Sequence, residues 1–160
     1  KLVFQDIEKA GILNVYGGKI TTARQLGEDA MEVLRERLAF TQGPWTRHSP
    51  LPGGDIPGGD FARWAGRQIE KFPEIPPRLM WHYCRSYGRR AEKLLQDGDL
   101  GRHFGDDLYE AELGYLIQCE WARKPDDALW RRTKWGLHIG EETRQKVLED
   151  WPRLVEEYGS

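Results

Sequence analysis

The sequence predicts a mainly α-helical protein, a helical bundle preceded by a short β-hairpin and a strand–helix segment. Apolar residues recur at helical spacing almost continuously from Asp60 to the end of the chain. Short apolar runs typical of strands occur only in the first residues. The 160 residues include seven tryptophans, and a chain of this size can form a core without disulfides. We therefore expect Cys84 and Cys119 to be buried, reduced thiols.

The chain opens with two predicted strands, the apolar runs at 2–4 and 12–16, joined by a turn at 8–11. Because two strands alone are marginally stable in water, we expect this hairpin to belong to a larger sheet. A helix follows, and Thr22 with Gln25 predicts a capping box at its start. Its predicted apolar face consists of Ala23, Leu26, Ala30, Val33, Leu34 and Leu38.

Residues 41–59 are rich in glycine and proline. This composition excludes a helix or a central strand and predicts a long loop. The loop separates the leading segment from a series of helices. The first of these is predicted to be capped by Asp60, and the last to be kinked or divided by Pro152. Between them, apolar spacing predicts one helix that begins at Pro76–Pro77 and ends at Gly88, and a short one from Ala91 that stops at Gly98. A third is predicted from Leu108 to near Lys124–Pro125, and another after Asp126.

Several function classes lack their sequence signals. The net charge of −2 disfavours nucleic acid as a partner, because such domains usually carry a basic excess. The four histidines have no zinc-ligand spacing, no apolar run is long enough for a membrane span, and neither a nucleophile elbow nor a dinucleotide fingerprint is present. The chain alone therefore has no complete catalytic apparatus. The histidines are His48, His82, His103 and His138.

One short segment carries a chemical signal. Gly17, Gly18 and Lys19 stand directly before the predicted helix, where free N–H groups and a partial positive charge favour an anion or a polarised carbonyl. The segment is not a P-loop, because Leu13 and Ile20 occupy positions that need a glycine and a hydroxyl. On physical grounds alone, a tight turn with a solvated lysine remains the alternative.

Motifs along most of the chain, from about Leu2 to Leu137, resemble those of FAD-dependent, aerobic-type glycerol-3-phosphate dehydrogenases. The resemblance begins with V-Y-G-G-K-I-T-T at 15–22. It continues in order with L-P-G-G at 51–54, a Tyr-Gly step at 87–88 and the segment 120–133. Each motif is modest, but the ordered set is fairly specific.

This resemblance implies a C-terminal part of a flavoprotein that oxidises sn-glycerol 3-phosphate to dihydroxyacetone phosphate by hydride transfer to FAD. It implies that residues 1–41 are the C-terminal edge of the FAD and substrate domain, that residues 42–59 are a linker, and that residues 60–160 form a helical domain. Lys19 would bind the substrate, and the flavin would contact Gly18, Lys19, Thr21 and Thr22.

The resemblance also implies partners and a location for the parent protein. The partners would be an N-terminal FAD-binding domain of the same chain and, as electron acceptor, a quinone. The parent would be cytoplasmic and peripheral on the inner face of the cell membrane, and the fragment would be inactive alone. The equivalent domain of a glycerol-3-phosphate oxidase, a non-catalytic helical interaction module, and a helix-turn-helix DNA binder at 76–97 remain alternatives.

Three groups of residues outside that segment favour structural roles. The cations of 131–134, beside Trp130 and Trp135, are predicted to form an ion-pair cluster with nearby acids. The tryptophans at helical spacing are predicted to lie in the core, and three glutamates are predicted to form a solvated face. The tryptophans are Trp121, Trp130, Trp135 and Trp151, and the glutamates are Glu110, Glu112 and Glu120.

Overall fold

The computed structural model describes residues 1–7, 10–95 and 98–159, and the chain divides into two compact units, Lys1–Leu51 and Pro52–Ser160. The first unit opens with two antiparallel strands, β1 (Leu2–Ile7) and β2 (Ala10–Val15). This confirms the predicted hairpin. Glu8 and Lys9 of the predicted turn lie outside the described residues.

Helix α1 (Ala23–Leu38) follows a single 3₁₀ turn at Ile20–Thr22. The predicted capping box is wrong, because the Thr22 hydroxyl donates back to the carbonyl of Lys19 at 3.0 Å instead of accepting from the helix. Gln25 is also engaged elsewhere and donates to Asp29 at 2.9 Å. Although the predicted apolar face is present, no residue of α1 is fully buried by the described part of the chain.

The second unit begins with three helices, α2 (Phe61–Lys71), α3 (Pro77–Tyr87) and the short α4 (Ala91–Leu94). The predicted cap of α2 is confirmed, since the Asp60 carboxylate accepts from the backbone N–H of Arg63 at 3.0 Å. With only four residues, α4 is too short for a recognition helix, and residues 96–97 lie outside the described part. The core here includes Trp64, Ile75, Leu79, Met80, Tyr83, Leu95 and Tyr115.

A tight backbone contact joins the end of the glycine-rich loop to the end of α3. The carbonyl of Gly53 accepts from the N–H of Arg89 at 3.0 Å, and Arg89 also pairs with Asp55 at 2.9 Å. A Cβ atom on Gly88, where φ is 55°, would lie 2.1 Å from the Gly53 oxygen. Both positions therefore require glycine, which explains why the L-P-G-G and Tyr-Gly motifs occur together.

The remainder of the second unit packs around a second core. It contains a two-stranded hairpin, β3 (His103–Gly105) and β4 (Leu108–Tyr109), followed by α5 (Glu110–Glu120). The prediction of a helix from Leu108 is wrong over its first two residues, because Leu108 pairs in β4. Buried side chains of this core include Phe104, Leu108, Leu113, Leu116, Leu129, Val147, Trp151 and Leu154.

The chain ends with a π-helical turn (Asp127–Arg132) and the long helix α6 (Glu141–Tyr158). Helix α6 runs on through Pro152, so the proline does not divide it. The Pro152 side is exposed, so water can satisfy the carbonyl that a proline leaves without a partner.

The residues that the sequence predicts to lie in the core differ in burial. Trp151 is buried, whereas Trp121 is 72% exposed and has a left-handed φ of 56° at the end of α5. The prediction of a core position for Trp121 is therefore wrong. Cys84 is buried and Cys119 is half-buried, and both are free thiols.

The described residues contain neither a membrane-spanning helix nor a metal-binding cluster. No helix in residues 1–7, 10–95 and 98–159 has the length and apolar character needed to cross a membrane. In the same part of the chain, no group of three or more His, Cys, Asp or Glu side chains could hold a metal ion.

Candidate functional site

The glycine–lysine turn, residues 17–22, links β2 to α1 through backbone conformations that favour glycine. Gly17 has a φ of 80° and Gly18 a φ of 133°. A Cβ atom on Gly18 would also lie 3.0 Å from the Leu26 side chain. The chain then returns to extended geometry at Lys19, whose carbonyl accepts from the Thr22 N–H at 2.9 Å and from its hydroxyl. Two glycines are therefore needed to place the lysine at the start of the helical segment.

The four predicted site residues, Gly18, Lys19, Thr21 and Thr22, lie together in this turn and all are exposed. Ile20 between them is 93% exposed. Lys19 forms no ion pair with any of the described residues. The first N–H groups of a helical segment carry a partial positive charge, which the lysine ammonium reinforces. This arrangement can bind an anion or a carbonyl oxygen that gains negative charge.

A cleft of about 820 Å³ in the second unit was not predicted from the sequence. It lies among α3, the β3–β4 turn and the segment after the π-helical turn, so its residues are scattered along the chain. The cationic run at 131–134 was the available signal, but the ion-pair interpretation is correct only for Arg131, which pairs with Asp127 at 2.9 Å. The cleft is lined by Arg78, His82, His103, Arg132, Lys134 and Trp135, among others.

A fully buried carboxylate lies behind this cleft. Glu112 is 0% exposed, and its Oε1 accepts from the Tyr87 hydroxyl at 2.5 Å and lies 3.1 Å from Nε2 of His82. The prediction of a solvated face is therefore wrong for Glu112. Burial raises the pKa of the Tyr87 hydroxyl, and the neighbouring Glu112 carboxylate raises it further. Tyr87 therefore stays a neutral donor to the carboxylate.

Glu110 is also buried, contrary to prediction, and is satisfied by several donors. Arg153 pairs with it at 2.9 Å, and it accepts from the Arg102 N–H and the Tyr158 hydroxyl, both at 3.2 Å. Burial alone would raise the pKa of Glu110, but these hydrogen bonds and the Arg153 charge lower it below its usual value. Its role is to hold α6 to the start of α5.

Comparisons with known proteins match nearly the whole chain. A family model described as the C-terminal domain of alpha-glycerophosphate oxidase matches residues 44–160. An aerobic glycerol-3-phosphate dehydrogenase of Escherichia coli is 44% identical over 145 residues, which are 88% of this chain and 29% of that protein. A D-erythritol 1-phosphate dehydrogenase of Brucella abortus is 41% identical over 151 residues, 90% of this chain and 30% of that protein.

A glycerol-3-phosphate dehydrogenase of Pseudomonas aeruginosa is 37% identical over 132 residues, 80% of this chain and 26% of that protein. The chain thus spans less than a third of the length of these relatives.

Proposed function

Because the chain belongs to the family of the C-terminal domain of alpha-glycerophosphate oxidase, we propose that it is the C-terminal part of a flavoprotein that oxidises glycerol 3-phosphate to dihydroxyacetone phosphate. The observation that carries the proposal is the 44% identity to an aerobic glycerol-3-phosphate dehydrogenase over 88% of the chain. The identity extends over more of the chain than the family match alone.

The glycine–lysine turn fits a flavin in the parent protein. Its glycines leave the backbone open to close approach, and its N–H groups and lysine suit the polar edge of a flavin ring. Gly18, Lys19, Thr21 and Thr22 would hold that edge, with FAD supplying the hydride acceptor when bound. The helix start would stabilise the negative charge that develops during reduction.

Lys19 has a second task in this proposal, the binding of substrate oxygens. Its extended backbone carries the side chain away from the turn, and its side chain is exposed, so it is available to a ligand. A lysine ammonium offers three donors and a full charge to an anionic or partly negative oxygen. The remaining substrate contacts would come from the N-terminal FAD-binding domain of the same polypeptide, so we propose that the 160-residue chain is inactive and colourless alone.

The decisive experiment replaces Lys19 by alanine in the complete protein. We expect kcat/KM for glycerol 3-phosphate to fall about 10²-fold or more, because one electrostatic donor to the reacting oxygens is lost. Flavin content and thermal stability should be retained. Lys93→Ala, at an exposed position of α4, is the matched control and should leave the kinetics unchanged. Unchanged kinetics for Lys19→Ala would instead favour a structural turn in a non-catalytic helical interaction module.

The same assays distinguish the substrate and the acceptor. D-erythritol 1-phosphate is the comparison substrate, because one relative is named as its dehydrogenase. A lower kcat/KM with D-erythritol 1-phosphate than with glycerol 3-phosphate supports glycerol 3-phosphate as the substrate. We propose a quinone as the acceptor and a cytoplasmic parent that is peripheral on the inner face of the membrane. Faster turnover with a soluble quinone than with oxygen supports a quinone as the acceptor. Preferential reduction of oxygen supports the glycerol-3-phosphate oxidase alternative.

A further inference from the structure

The cleft of the second unit has the size of a small-molecule site, about 820 Å³. It belongs to the helical unit alone, and the proposed hydride transfer assigns no role to it. Its lining combines cations, histidines, two aromatic rings and two carboxylates, which together define the kind of ligand that it can hold.

Hydrogen-bond donors and positive charge reach the cleft from two separate parts of the fold, with Arg78, Arg132 and Lys134 as the cations. Arg78 and His82 lie one turn apart on α3 and therefore share a face of that helix. Arg132 and Lys134 come from the end of the π-helical turn and the residues after it. The Lys134 ammonium donates one hydrogen bond to the Trp130 carbonyl at 2.5 Å, which leaves two of its three donors.

The π-helical turn explains why the neighbouring Arg131 and Arg132 have different surroundings. The N–H of Thr133 bonds to the carbonyl five residues earlier, on Ala128, at 3.2 Å. Arg131 pairs with Asp127 on the outside of this turn, whereas Arg132 lines the cleft and forms no ion pair within residues 1–7, 10–95 and 98–159. Single π turns are rare and often occur at functional sites.

Two carboxylates, Asp106 and Asp107, also line the cleft, but within residues 1–7, 10–95 and 98–159 neither forms an ion pair with Arg132 or Lys134. Asp106 accepts from the Gly140 N–H and from the Thr143 hydroxyl, both at 2.8 Å, and so is engaged in holding α6. Asp107 approaches only Arg78, at 3.9 Å. Arg132 and Lys134 are therefore left with unused hydrogen-bond donors beside the cleft.

Trp135 supplies a wall of the cleft. Its ring packs on His82 with centroids 4.8 Å apart, and Glu112 fixes that imidazole from behind at 3.1 Å. The Trp135 indole Nε1 is buried and has no hydrogen-bond partner in the described part of the chain.

We propose that this cleft binds a small, soluble phosphate-bearing ligand, with Arg132 and Lys134 as its principal contacts. Phosphate matches the set of donors because it carries up to two negative charges and several acceptor oxygens, and arginine binds it through two parallel hydrogen bonds. The inference rests on the cleft alone and stands whether or not the parent oxidises glycerol 3-phosphate.

The test is a titration of the ¹⁵N-labelled full chain with inorganic phosphate, followed by the seven tryptophan indole resonances. Trp135→Phe assigns the resonance of interest. We expect the Trp135 signal to shift with saturation below about 20 mM phosphate, a modest affinity for a small anion. The buried Trp64 and Trp151 should not shift. Sodium chloride of equal ionic strength should not reproduce the effect, and an equal response to chloride would overturn the proposal.

Two neighbouring arginines provide a matched pair of variants. Arg132→Gln should weaken phosphate binding about tenfold or more, because a charge-assisted contact is lost. Arg131→Gln removes the same charge outside the cleft and should leave binding unchanged. Native indole positions in the absence of phosphate verify the fold of both variants. Equal weakening by both would show a nonspecific charge effect and would overturn the site.

Two further arms identify the source of the phosphate. Glycerol 3-phosphate should displace inorganic phosphate at the Trp135 resonance, as a soluble phosphate ester in the same site would. Vesicles of phosphatidylglycerol, compared with phosphatidylcholine, test a lipid headgroup instead. Displacement by phosphatidylglycerol vesicles without displacement by glycerol 3-phosphate would overturn the assignment to a small soluble ligand.

Discussion

Glu112 shows how a single residue acquires its role from neighbours that are distant in sequence. The carboxylate is fully buried, and it is held by a hydroxyl and an imidazole from α3, at positions 87 and 82. These two groups satisfy its Oε1, whereas its Oε2 is buried without a hydrogen-bond partner in the described part of the chain. The α3–α5 contact therefore depends on these donors, and the arrangement also orients the His82 ring at the cleft.

Removing the Tyr87 hydroxyl measures how far stability depends on its hydrogen bond to the Glu112 carboxylate. We expect Tyr87→Phe to lower the free energy of unfolding by about 1–3 kcal/mol, because a buried acceptor loses its shortest hydrogen bond while the ring packing is kept. Urea denaturation of the full chain measures the change. Tyr16→Phe removes the same atom from a residue that is 58% exposed, and should have no measurable effect. Equal stabilities of the two variants would contradict the role assigned to the hydrogen bond.

Sequence patterns could not have predicted this arrangement. Helical spacing places Glu112 on the same face as Leu108 and Tyr115, but it does not show which donors would satisfy a buried carboxylate there. Burial of Glu112 depends on donors that lie 25 and 30 residues earlier in the chain. The glycine–lysine turn is the opposite case, because glycines, lysine and helix start are consecutive, and the sequence alone predicts their proximity.

At the scale of elements, the apolar spacing predicted the helices, whereas the second hairpin was missed. Helix α1 was predicted because its apolar spacing repeats over 16 residues, and the hairpin of β1 and β2 because two short apolar runs flank a turn. Strands β3 and β4 have three and two residues, too few for an alternation. Their turn is visible only as Asp106 and Asp107, both with positive φ, a conformation that aspartate tolerates better than most residues.

This short hairpin caps the longest helix. Gly140 directly precedes helix α6 and has no side chain that could cap it. The Asp106 carboxylate accepts from the Gly140 N–H and so fixes the residue from which the helix begins. Its hydrogen bonds with Gly140 and Thr143 lower the pKa of the Asp106 carboxyl. A lowered folded-state pKa adds stability above the unfolded pKa, and that contribution is lost as the pH falls through the folded-state value.

Two substitutions separate the charge of Asp106 from its hydrogen bonds. Asp106→Ala should lower the Tm at pH 7 by about 2–4 °C, as expected for a lost helix cap in a chain of this size. Asp106→Asn keeps an acceptor and a tolerance for positive φ, so it should lower the Tm less. As the pH is lowered from 7 to 3, the difference in Tm between the natural chain and Asp106→Asn should shrink. Calorimetry at several pH values measures it, and a constant difference would contradict an electrostatic contribution.

At the scale of the whole molecule, the two units differ in how much of their apolar surface is buried. All 22 buried hydrophobic residues of the described chain lie between Trp64 and Leu154, in the second unit. The first unit contains a hairpin and a helix whose apolar residues remain partly or largely exposed, among them Val15, Ile20 and Leu38. A two-stranded hairpin and one helix bury little surface, so their stability depends on additional packing.

This difference predicts that residues 52–160 fold as an independent domain. The chain 52–160 should unfold cooperatively with a Tm within a few degrees of that of the full chain, because its two cores are complete without residues 1–51. In the full chain, amide hydrogen exchange should be slowest in α3, α5 and α6 and much faster in β1, β2 and α1, where local opening exposes little additional apolar surface. Equal protection in both units, or loss of cooperative unfolding in 52–160, would show that stability is shared across the chain. If residues 52–160 fold independently, the proposed phosphate cleft is complete within that unit. The glycine–lysine turn would then need other parts of the parent protein to become ordered.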